Sequence, residues 1–129
     1  MKKILIADDE TAIRLLIHST LESEEYQILE SKNGQDTLEK YHAEAPDLLI
    51  LDLMMPGLSG SEVCGKIRSD PKAKQAPIII LTAKGKISDE EARLEFGADF
   101  YLTKPFSPLE LLECVDQALS GKPTDHKTR

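Results

Sequence analysis

The amino-acid sequence predicts an α/β domain in which helices cover both faces of a parallel sheet. Short apolar runs alternate with longer stretches whose apolar residues recur at helical spacing, and five such strand–helix units follow one another without a break. Two of the runs, at residues 48–51 and 78–81, are apolar at every position, which is typical of strands covered on both faces. The crossover connections of such a sheet are expected to be right-handed.

The first half of the chain supplies three strands and two helices. Short β-rich runs indicate strands at residues 4–7, 26–30 and 48–51. The first helix is indicated by apolar residues at helical spacing, namely Ile13, Leu16, Ile17 and Leu21. A weaker helix is expected from about residue 35 to residue 44, with Leu38 and Tyr41 facing inward, and Pro46 ends it.

The second half supplies two strands and three helices. Strands are expected at residues 78–81 and 99–103. Two helix starts show capping-box spacing, Ser59 with Glu62 and Ser88 with Glu91. The last helix begins at Ser107-Pro108 and ends at Gly121. Its inward side is predicted to carry Leu112, Val115 and Leu119.

Length and composition indicate one domain and exclude several classes of protein. We expect a domain over residues 1–121, followed at 122–129 by a polar tail or truncated linker. A net charge of -7 and only 5% aromatic residues argue against direct nucleic-acid binding. Neither a signal peptide nor an apolar run of roughly 20 residues is visible, so we expect a soluble, cytoplasmic protein without membrane contact. Cys64 and Cys114 are predicted to be buried thiols, in preference to a disulfide or metal ligands.

Polar residues interrupt the apolar pattern where the predicted strands end. They are Asp8, Asp9 and Glu10 after the first strand, Asp52 after the third, Thr82 after the fourth, and Thr103 and Lys104 after the fifth. In open parallel sheets, ligands bind beyond the carboxyl ends of the strands. Each residue alone has a structural explanation, since Asp and Thr commonly cap helices and a single Lys is usually solvated.

Together these residues predict a site for one phosphoryl group. If the first and third strands are neighbours, Asp8, Asp9 and Asp52 converge and repel one another, and capping explains at most one of them. A divalent cation with oxygen ligands relieves that repulsion, and Mg²⁺ is the usual cellular choice. Lys104 and Thr82 would supply a positive charge and a hydroxyl donor to an anion beside the metal, with a carboxylate as nucleophile.

Four motifs at these strand ends carry a resemblance to a known family. They are IADDE at 6–10, LDLMMPG at 51–57, LTA at 81–83 and GADFYLTKPF at 97–106. Through them the chain resembles the receiver domain of bacterial two-component response regulators over about residues 1–121. The resemblance implies a flavodoxin-like (βα)5 three-layer sandwich with a parallel five-stranded sheet of order 2-1-3-4-5. That order places the first and third strands side by side.

The resemblance also implies roles for the acidic residues. Asp52 is implied to be the phosphorylated nucleophile and to ligate Mg²⁺. Asp9 is implied to bind Mg²⁺ directly, and Asp8 to do so through water or as a supporting partner. Met54 is implied to offer the metal its backbone carbonyl.

The remaining implied roles concern phosphate binding and switching. Thr82, Ala83 and Lys104 are implied to bind the phosphoryl group, and the Lys104–Pro105 bond to be cis. Thr82 and Tyr101 are implied to form the switch that alters the surface of the fourth helix, fifth strand and fifth helix, a face that could also form a homodimer.

Two positions bear on how the switch is tuned. Phe100 departs from the family pattern, in which an acidic residue is common, and makes the output surface less predictable. Lys84 lies where the family tunes the lifetime of the phosphate. The fourth predicted helix has an irregular apolar stripe, which suits an element that moves.

The implied function is Mg²⁺-dependent transfer of a phosphoryl group from a sensor histidine kinase or histidine phosphotransfer protein to Asp52. The chain would then control a downstream output protein or domain, and it would not be an enzyme beyond self-phosphorylation and autodephosphorylation. One alternative is a pseudo-receiver that binds partners without phosphate, although all five site residues are present. Another is a phosphohydrolase, although those enzymes carry Asp-x-Asp where this chain has Asp8-Asp9, and no inserted cap is evident.

Overall fold

The computed structural model describes residues 1–22, 25–83 and 97–120. Within these ranges the strands are β1 (Lys2–Ala7), β2 (Tyr26–Ser31), β3 (Leu48–Asp52), β4 (Ile78–Ala83) and β5 (Phe100–Lys104). The helices are α1 (Thr11–Leu21), α2 (Gly34–Glu44), α3 (Gly60–Ser69) and α4 (Pro108–Ser120). The fourth predicted helix, with Lys84 before it, lies outside the described residues, so α4 corresponds to the last predicted helix. None of these four helices has the length and apolar character needed to cross a bilayer.

The five strands form one sheet with the predicted order β2-β1-β3-β4-β5. Every neighbouring pair is parallel. The register aligns Ala7 with Leu51, Asp52 with Leu81, and Ala83 with Lys104. Because parallel strands run in one direction, the carboxyl ends of β1, β3, β4 and β5 finish at the same edge of the sheet.

Two apolar clusters form the core, one on each face of the sheet. Helices α2 and α3 cover one face through Tyr41, Val63 and Ile67, and helices α1 and α4 cover the other. All five residues of β3 are buried, and its side chains alternate between the two clusters. Each fully buried Leu or Ile side chain contributes about 1.5–3 kcal/mol of transfer free energy. Both apolar clusters need a layer of helices to shield them from water, so the layered arrangement predicted from the sequence is confirmed.

Two apolar residues that the helical spacing predicted to face inward lie at the surface instead. Leu16 is 38% exposed and Leu112 is 43% exposed. The face of α4 that packs on the sheet carries Leu111, Cys114, Val115 and Ala118. The apolar band of α4 is wider than the face in contact with the sheet, so its spacing alone did not determine which side turns inward.

Reciprocal capping hydrogen bonds fix the start of α3 and of α4. The Ser59 hydroxyl accepts from the Glu62 N–H at 3.2 Å, and the Glu62 carboxylate accepts from the Ser59 N–H at 3.0 Å. Ser107 and Glu110 make the same pair of bonds at 3.1 and 2.9 Å. The predicted capping box at Ser59 is confirmed, and both helices begin where the sequence indicated.

The first residue of α3 packs directly against the end of β3. A Cβ at Gly60 would lie 2.5 Å from the Asp52 carbonyl oxygen and 2.7 Å from the Leu53 Cα. The Gly60 N–H donates to the Leu53 carbonyl at 2.9 Å. Only glycine permits this approach, so α3 begins immediately beside the backbone of Asp52.

We predict opposite effects on stability for two glycine-to-alanine changes in α3. Gly60→Ala should lower the free energy of unfolding by about 1–3 kcal/mol, because the added methyl group meets backbone atoms that cannot yield. Gly65→Ala should raise it by about 0.5–1 kcal/mol, because a Cβ at Gly65 meets nothing within 4 Å and alanine favours the helix. Urea unfolding followed by circular dichroism measures both. A Gly60→Ala protein as stable as the unmodified chain would contradict the packing described above.

Candidate functional site

A buried pair of carboxylates and one ammonium group meet at the carboxyl edge of the sheet. Asp8 follows β1 directly, Asp52 ends β3 and Lys104 ends β5. Asp8 is fully buried and Asp52 is 5% exposed. The Lys104 Nζ lies 2.9 Å from Asp8 Oδ2 and 3.6 Å from Asp52 Oδ1. The lysine therefore bridges carboxylates that come from two neighbouring strands.

A third carboxylate, that of Glu10, completes the cluster. Its Oε1 lies 3.2 Å from Lys104 Nζ. One oxygen from each of Asp8, Glu10 and Asp52 lies within 4.8 Å of the other two. Asp9 is exposed and does not belong to this group, although the resemblance implies that it ligates a metal directly. The structure thus brings two of the three predicted aspartates together and adds Glu10.

Glu10 was missed as a site residue although it was visible in the acidic run after the first strand. The Glu10 N–H donates to Asp8 Oδ1 at 2.9 Å, which closes a tight turn after β1. That turn leads the chain into α1 with the Glu10 side chain on the Lys104 side. An acidic residue two positions after Asp8 is the signal that could have identified it.

The surroundings of Asp52 disfavour its charge. Burial raises its pKa from the ordinary value of 3.8 to about 6, and the charges of Asp8 and, more weakly, Asp9 act in the same direction. Lys104 and the Met54 N–H, which donates to Asp52 Oδ1 at 3.3 Å, oppose that rise. Asp9 therefore acts on Asp52 through its charge even though its side chain stands outside the cluster.

Lys104 remains a cation despite its partial burial. Burial alone would lower its pKa, but the close contact with Asp8 at 2.9 Å, the charges of Asp52 and Asp8 and the hydrogen bond with Glu10 raise it above the ordinary value. Within the described part of the chain, the positive charge of Lys104 thus faces three carboxylates.

The donor set fits a divalent cation. The Oδ2 atom of Asp8 is buried and makes no hydrogen bond of good geometry with any described residue, although it lies 2.9 Å from Lys104 Nζ. A buried carboxylate oxygen in this condition is costly unless a further positive group approaches it. Carboxylate oxygens are the ligands of hard divalent cations. The cluster of Asp8, Glu10 and Asp52 is therefore a group that could hold a metal ion.

The residues expected to bind phosphate lie on the ends of β4 and β5. Thr82 is buried, and its hydroxyl donates to the Ala83 carbonyl at 3.3 Å. Ala83 is exposed and pairs in register with Lys104. The peptide bond between Lys104 and Pro105 is cis, the isomer that the resemblance implies. The Met54 side chain is 67% exposed, and the contact of Met54 with Asp52 is made by its backbone N–H.

The two aromatic residues of β5 point to opposite faces of the sheet. Tyr101 is partly buried against the cluster under α2 and α3, and Phe100 is partly buried against the cluster under α1 and α4. The Phe100 ring therefore packs at the edge of the core and is only partly exposed. The fourth helix of the predicted output surface lies outside the described residues, so that surface is observed only through β5 and α4.

Both cysteines are buried, as predicted. Cys64 packs in the cluster on one face of the sheet and Cys114 in the cluster on the other, so the sheet separates them. Burial raises the pKa of the Cys64 thiol to about 11, which keeps it protonated at neutral pH. These thiols belong to the core.

Comparisons with known proteins agree with this architecture. The family model of the response regulator receiver domain matches residues 4–116. Over 110 residues, the chain is 47% identical to the transcriptional regulatory protein ResD and 44% identical to the alkaline phosphatase synthesis transcriptional regulatory protein PhoP, both of Bacillus subtilis (strain 168). Each alignment covers 85% of this chain and 45% of the relative, so the chain spans about half the length of the curated relatives it matches.

Solved structures with the same fold include two response regulators. The chain superposes on the chemotaxis response regulator CheY4 of Vibrio cholerae with a TM-score of 0.83 at 31% identity, covering 92% of this chain and 99% of that one. It superposes on the receiver domain of the Francisella response regulator 1452 with a TM-score of 0.83 at 30% identity, covering 94% and 98%.

The raised pKa of Asp52 predicts that Asp52→Asn stabilises the protein in buffer without divalent cations. A pKa raised to about 6 means that the folded state loses stability as pH rises from about 4 to 6, where the unfolded carboxyl is ionised and the folded one is not. The substitution removes this penalty and should add about 1–3 kcal/mol to the free energy of unfolding at pH 7.5. Below pH 4 the gain should vanish.

Denaturant melts from pH 3.5 to 8 measure this effect. Asp116→Asn, at an exposed position of α4, is the matched control and should change the free energy of unfolding by less than about 0.5 kcal/mol. A gain that is absent at pH 7.5, or that is equal at pH 3.5 and pH 7.5, would show that Asp52 is not under electrostatic strain.

Proposed function

Since this chain belongs to the family of response regulator receiver domains, we propose that it is a phosphoacceptor switch whose Asp52 is phosphorylated in a Mg²⁺-dependent reaction. The observation that carries the proposal is the bridge of Lys104 between Asp8 and Asp52 at the carboxyl edge of the sheet. The phosphoryl donor is a phosphohistidine of a sensor histidine kinase or of a histidine phosphotransfer protein. We propose that the reaction takes place in the cytoplasm, where such a donor and Mg²⁺ are both available.

Asp52 acts as the nucleophile. The Met54 N–H and Lys104 Nζ both approach Oδ1, so we assign Oδ2 as the attacking oxygen. The Asp52 oxygen forms a bond to phosphorus while the phosphorus–nitrogen bond of the phosphohistidine breaks, and the imidazole leaves. With a pKa of about 6, Asp52 is largely ionised at neutral pH and able to attack.

The neighbouring residues supply charge and position. Lys104 neutralises negative charge on the transferred phosphoryl group and on Asp52. Asp8 and Asp52, together with Glu10 or Asp9, would hold Mg²⁺, and the Met54 carbonyl would complete the ligands. When bound, the ion supplies further charge neutralisation at the phosphoryl oxygens. The chain's own contribution is a pre-arranged anion site.

The same site resets the switch. Phosphorylation creates an acyl phosphate on Asp52, and water hydrolyses it in place. The chain performs this chemistry on itself alone, so we propose that it does not turn over a separate substrate and is not an enzyme in that sense.

Phosphate is read out through Thr82 and Tyr101. In the structure the Thr82 hydroxyl donates to its neighbour Ala83, and a phosphoryl oxygen on Asp52 offers it a stronger acceptor. Together with Lys104 and the Ala83 N–H, Thr82 would hold the phosphoryl group. The Tyr101 side chain packs against the apolar cluster under α2 and α3. Movement of Thr82 towards the phosphoryl group would shift the balance between a conformation with the Tyr101 ring packed there and one with the ring turned away.

The output is a partner protein or domain that contacts β5 and α4, with a homodimer through the same surface as one form. ResD and PhoP are described as transcriptional regulators and are about twice as long as the aligned region. A transcriptional output domain linked to this receiver is consistent with a net charge of -7, which leaves DNA contact to the linked domain.

The phosphoacceptor proposal predicts one phosphoryl adduct per chain. Incubation with Mg²⁺ and a small-molecule phosphodonor should add a single phosphoryl group, detected by intact mass, and Asp52→Asn should remove it. Asp36→Asn, which removes an ion pair with Lys40 in α2 and not a member of the acidic cluster, should leave the adduct unchanged. No adduct would support a phosphate-independent pseudo-receiver, and repeated turnover of a separate phosphoester would support an enzyme.

The metal assignment predicts stabilisation by Mg²⁺. At a free concentration 100 times the dissociation constant, Mg²⁺ should raise the free energy of unfolding by about 2.7 kcal/mol. Asp8→Asn should abolish most of that increase, because it removes the buried carboxylate charge, whereas Asp36→Asn should retain it. Thermal melts with and without Mg²⁺ give the comparison, and an unchanged midpoint in the unmodified chain would refute the assignment.

A further inference from the structure

We propose that Arg14 is a positioning residue of the site, which holds the backbone of Asp8 so that its carboxylate faces Lys104 and the metal. This inference rests on the proposed function and assigns a role to a residue outside the four motifs. Arg14 lies near the start of α1, and its side chain is 15% exposed. Among the described residues its guanidinium group donates to the Asp8 carbonyl, Glu30 and Thr11 and to no carboxylate of the acidic cluster, so we infer that it acts on the chemistry through Asp8.

The guanidinium group joins two acceptors that come from different strands. Its Nη1 donates to the Asp8 carbonyl at 2.7 Å, and its Nε donates to Glu30 Oε1 of β2 at 3.1 Å. The planar fork of arginine fixes the angle between two such bonds. Arg14 therefore ties the peptide after β1 to the side chain of a residue on β2.

The Asp8 peptide depends on this contact because it lies beyond the last paired residue of β1. The parallel ladder between β1 and β2 ends with Ala7 opposite Ser31. One more bond follows, from the Asp8 N–H to the Ser31 carbonyl at 3.2 Å. The Asp8 carbonyl is then held by Arg14. Rotation of this peptide would move the Asp8 carboxylate, whose Oδ1 accepts from Glu10 and whose Oδ2 faces Lys104.

Glu30 is itself held in place from the same helix. His18, one turn after Arg14 on α1, places Nδ1 2.7 Å from Glu30 Oε2. The hydrogen bond with His18 lowers the pKa of Glu30, and the hydrogen bond with Arg14 lowers it further. Burial acts in the opposite direction but does not cancel this decrease. Glu30 is thus an ionised anchor at neutral pH, and two residues of α1 converge on it.

The test measures Mg²⁺ affinity by isothermal titration calorimetry, with the stability of each variant determined in parallel. Arg14→Gln should weaken Mg²⁺ binding about tenfold, in the range found when groups that orient metal ligands are removed. Arg14→Lys should not restore it, because one ammonium group cannot reproduce the fork. Glu30→Gln, which keeps Arg14, should weaken binding in the same direction and by a smaller factor.

A double-mutant cycle separates positioning from general destabilisation. Arg14→Gln/Glu30→Gln should bind Mg²⁺ no more weakly than Arg14→Gln alone, because Glu30 acts through Arg14. Arg68→Gln is the matched control. Arg68 also joins a backbone carbonyl, that of Gly97 at 2.8 Å, to a carboxylate, that of Asp99 at 2.8 Å, but away from the acidic cluster. It should lower stability and leave Mg²⁺ affinity within about twofold.

Three results would overturn the inference while leaving the proposed function intact. They are unchanged Mg²⁺ affinity in both Arg14→Gln and Glu30→Gln, full recovery in Arg14→Lys, and simple additivity in the double variant. If Arg14→Gln does not fold, Glu30→Gln decides the matter alone. Failure of the unmodified chain to bind Mg²⁺ would overturn both the proposed function and this inference.

Discussion

The charge balance at the carboxyl edge of the sheet is the constraint on which the site depends. Asp8 and Asp52 are buried beside each other, and Glu10 approaches from the following turn. Among the described residues, Lys104 provides the ammonium group that contacts all three. Burial and mutual repulsion raise the pKa of Asp52 to about 6, so the cluster is held together at a cost to folding. A cluster with this excess of negative charge is complementary to a divalent cation. It can also accept an anion that binds together with such a cation.

The surrounding fold offsets that cost through packing on both sides of the central strands. β3 is buried along its whole length, so the backbone of Asp52 cannot move without disturbing two apolar clusters. The first residue of α3, Gly60, also packs directly against the Asp52 carbonyl, so the start of that helix further restricts the Asp52 backbone. A rigid backbone keeps the carboxylates close together, so their repulsion is relieved by a bound ligand and not by movement of the chain.

The sequence predicted those parts of the structure that interrupt a strong pattern. Asp52 and Thr82 stand at the ends of continuous apolar runs, and the register of a parallel sheet leaves them no other place than the common edge. The role of Glu10, and the exposure of Asp9 beside it, depend on the turn that the Asp8 carboxylate forms, which no periodicity reports. Leu112 was placed inward because the apolar band of α4 is broader than its contact with the sheet. The sequence did not predict a role for Arg14, because its partner is a backbone carbonyl that no side-chain pattern indicates. A charged residue on a helix is also most often solvated.

The wide separation of the site residues along the chain has a consequence for protein synthesis. Glu10 and Lys104, which touch in the structure, are 94 positions apart, and β5 is the last of the five described strands to be made. A polypeptide still emerging from the ribosome has its acidic groups but lacks the lysine that bridges them. The proposed phosphoacceptor site is therefore complete only once β5 has been synthesised, and a chain that stops before Lys104 would lack the bridging ammonium group.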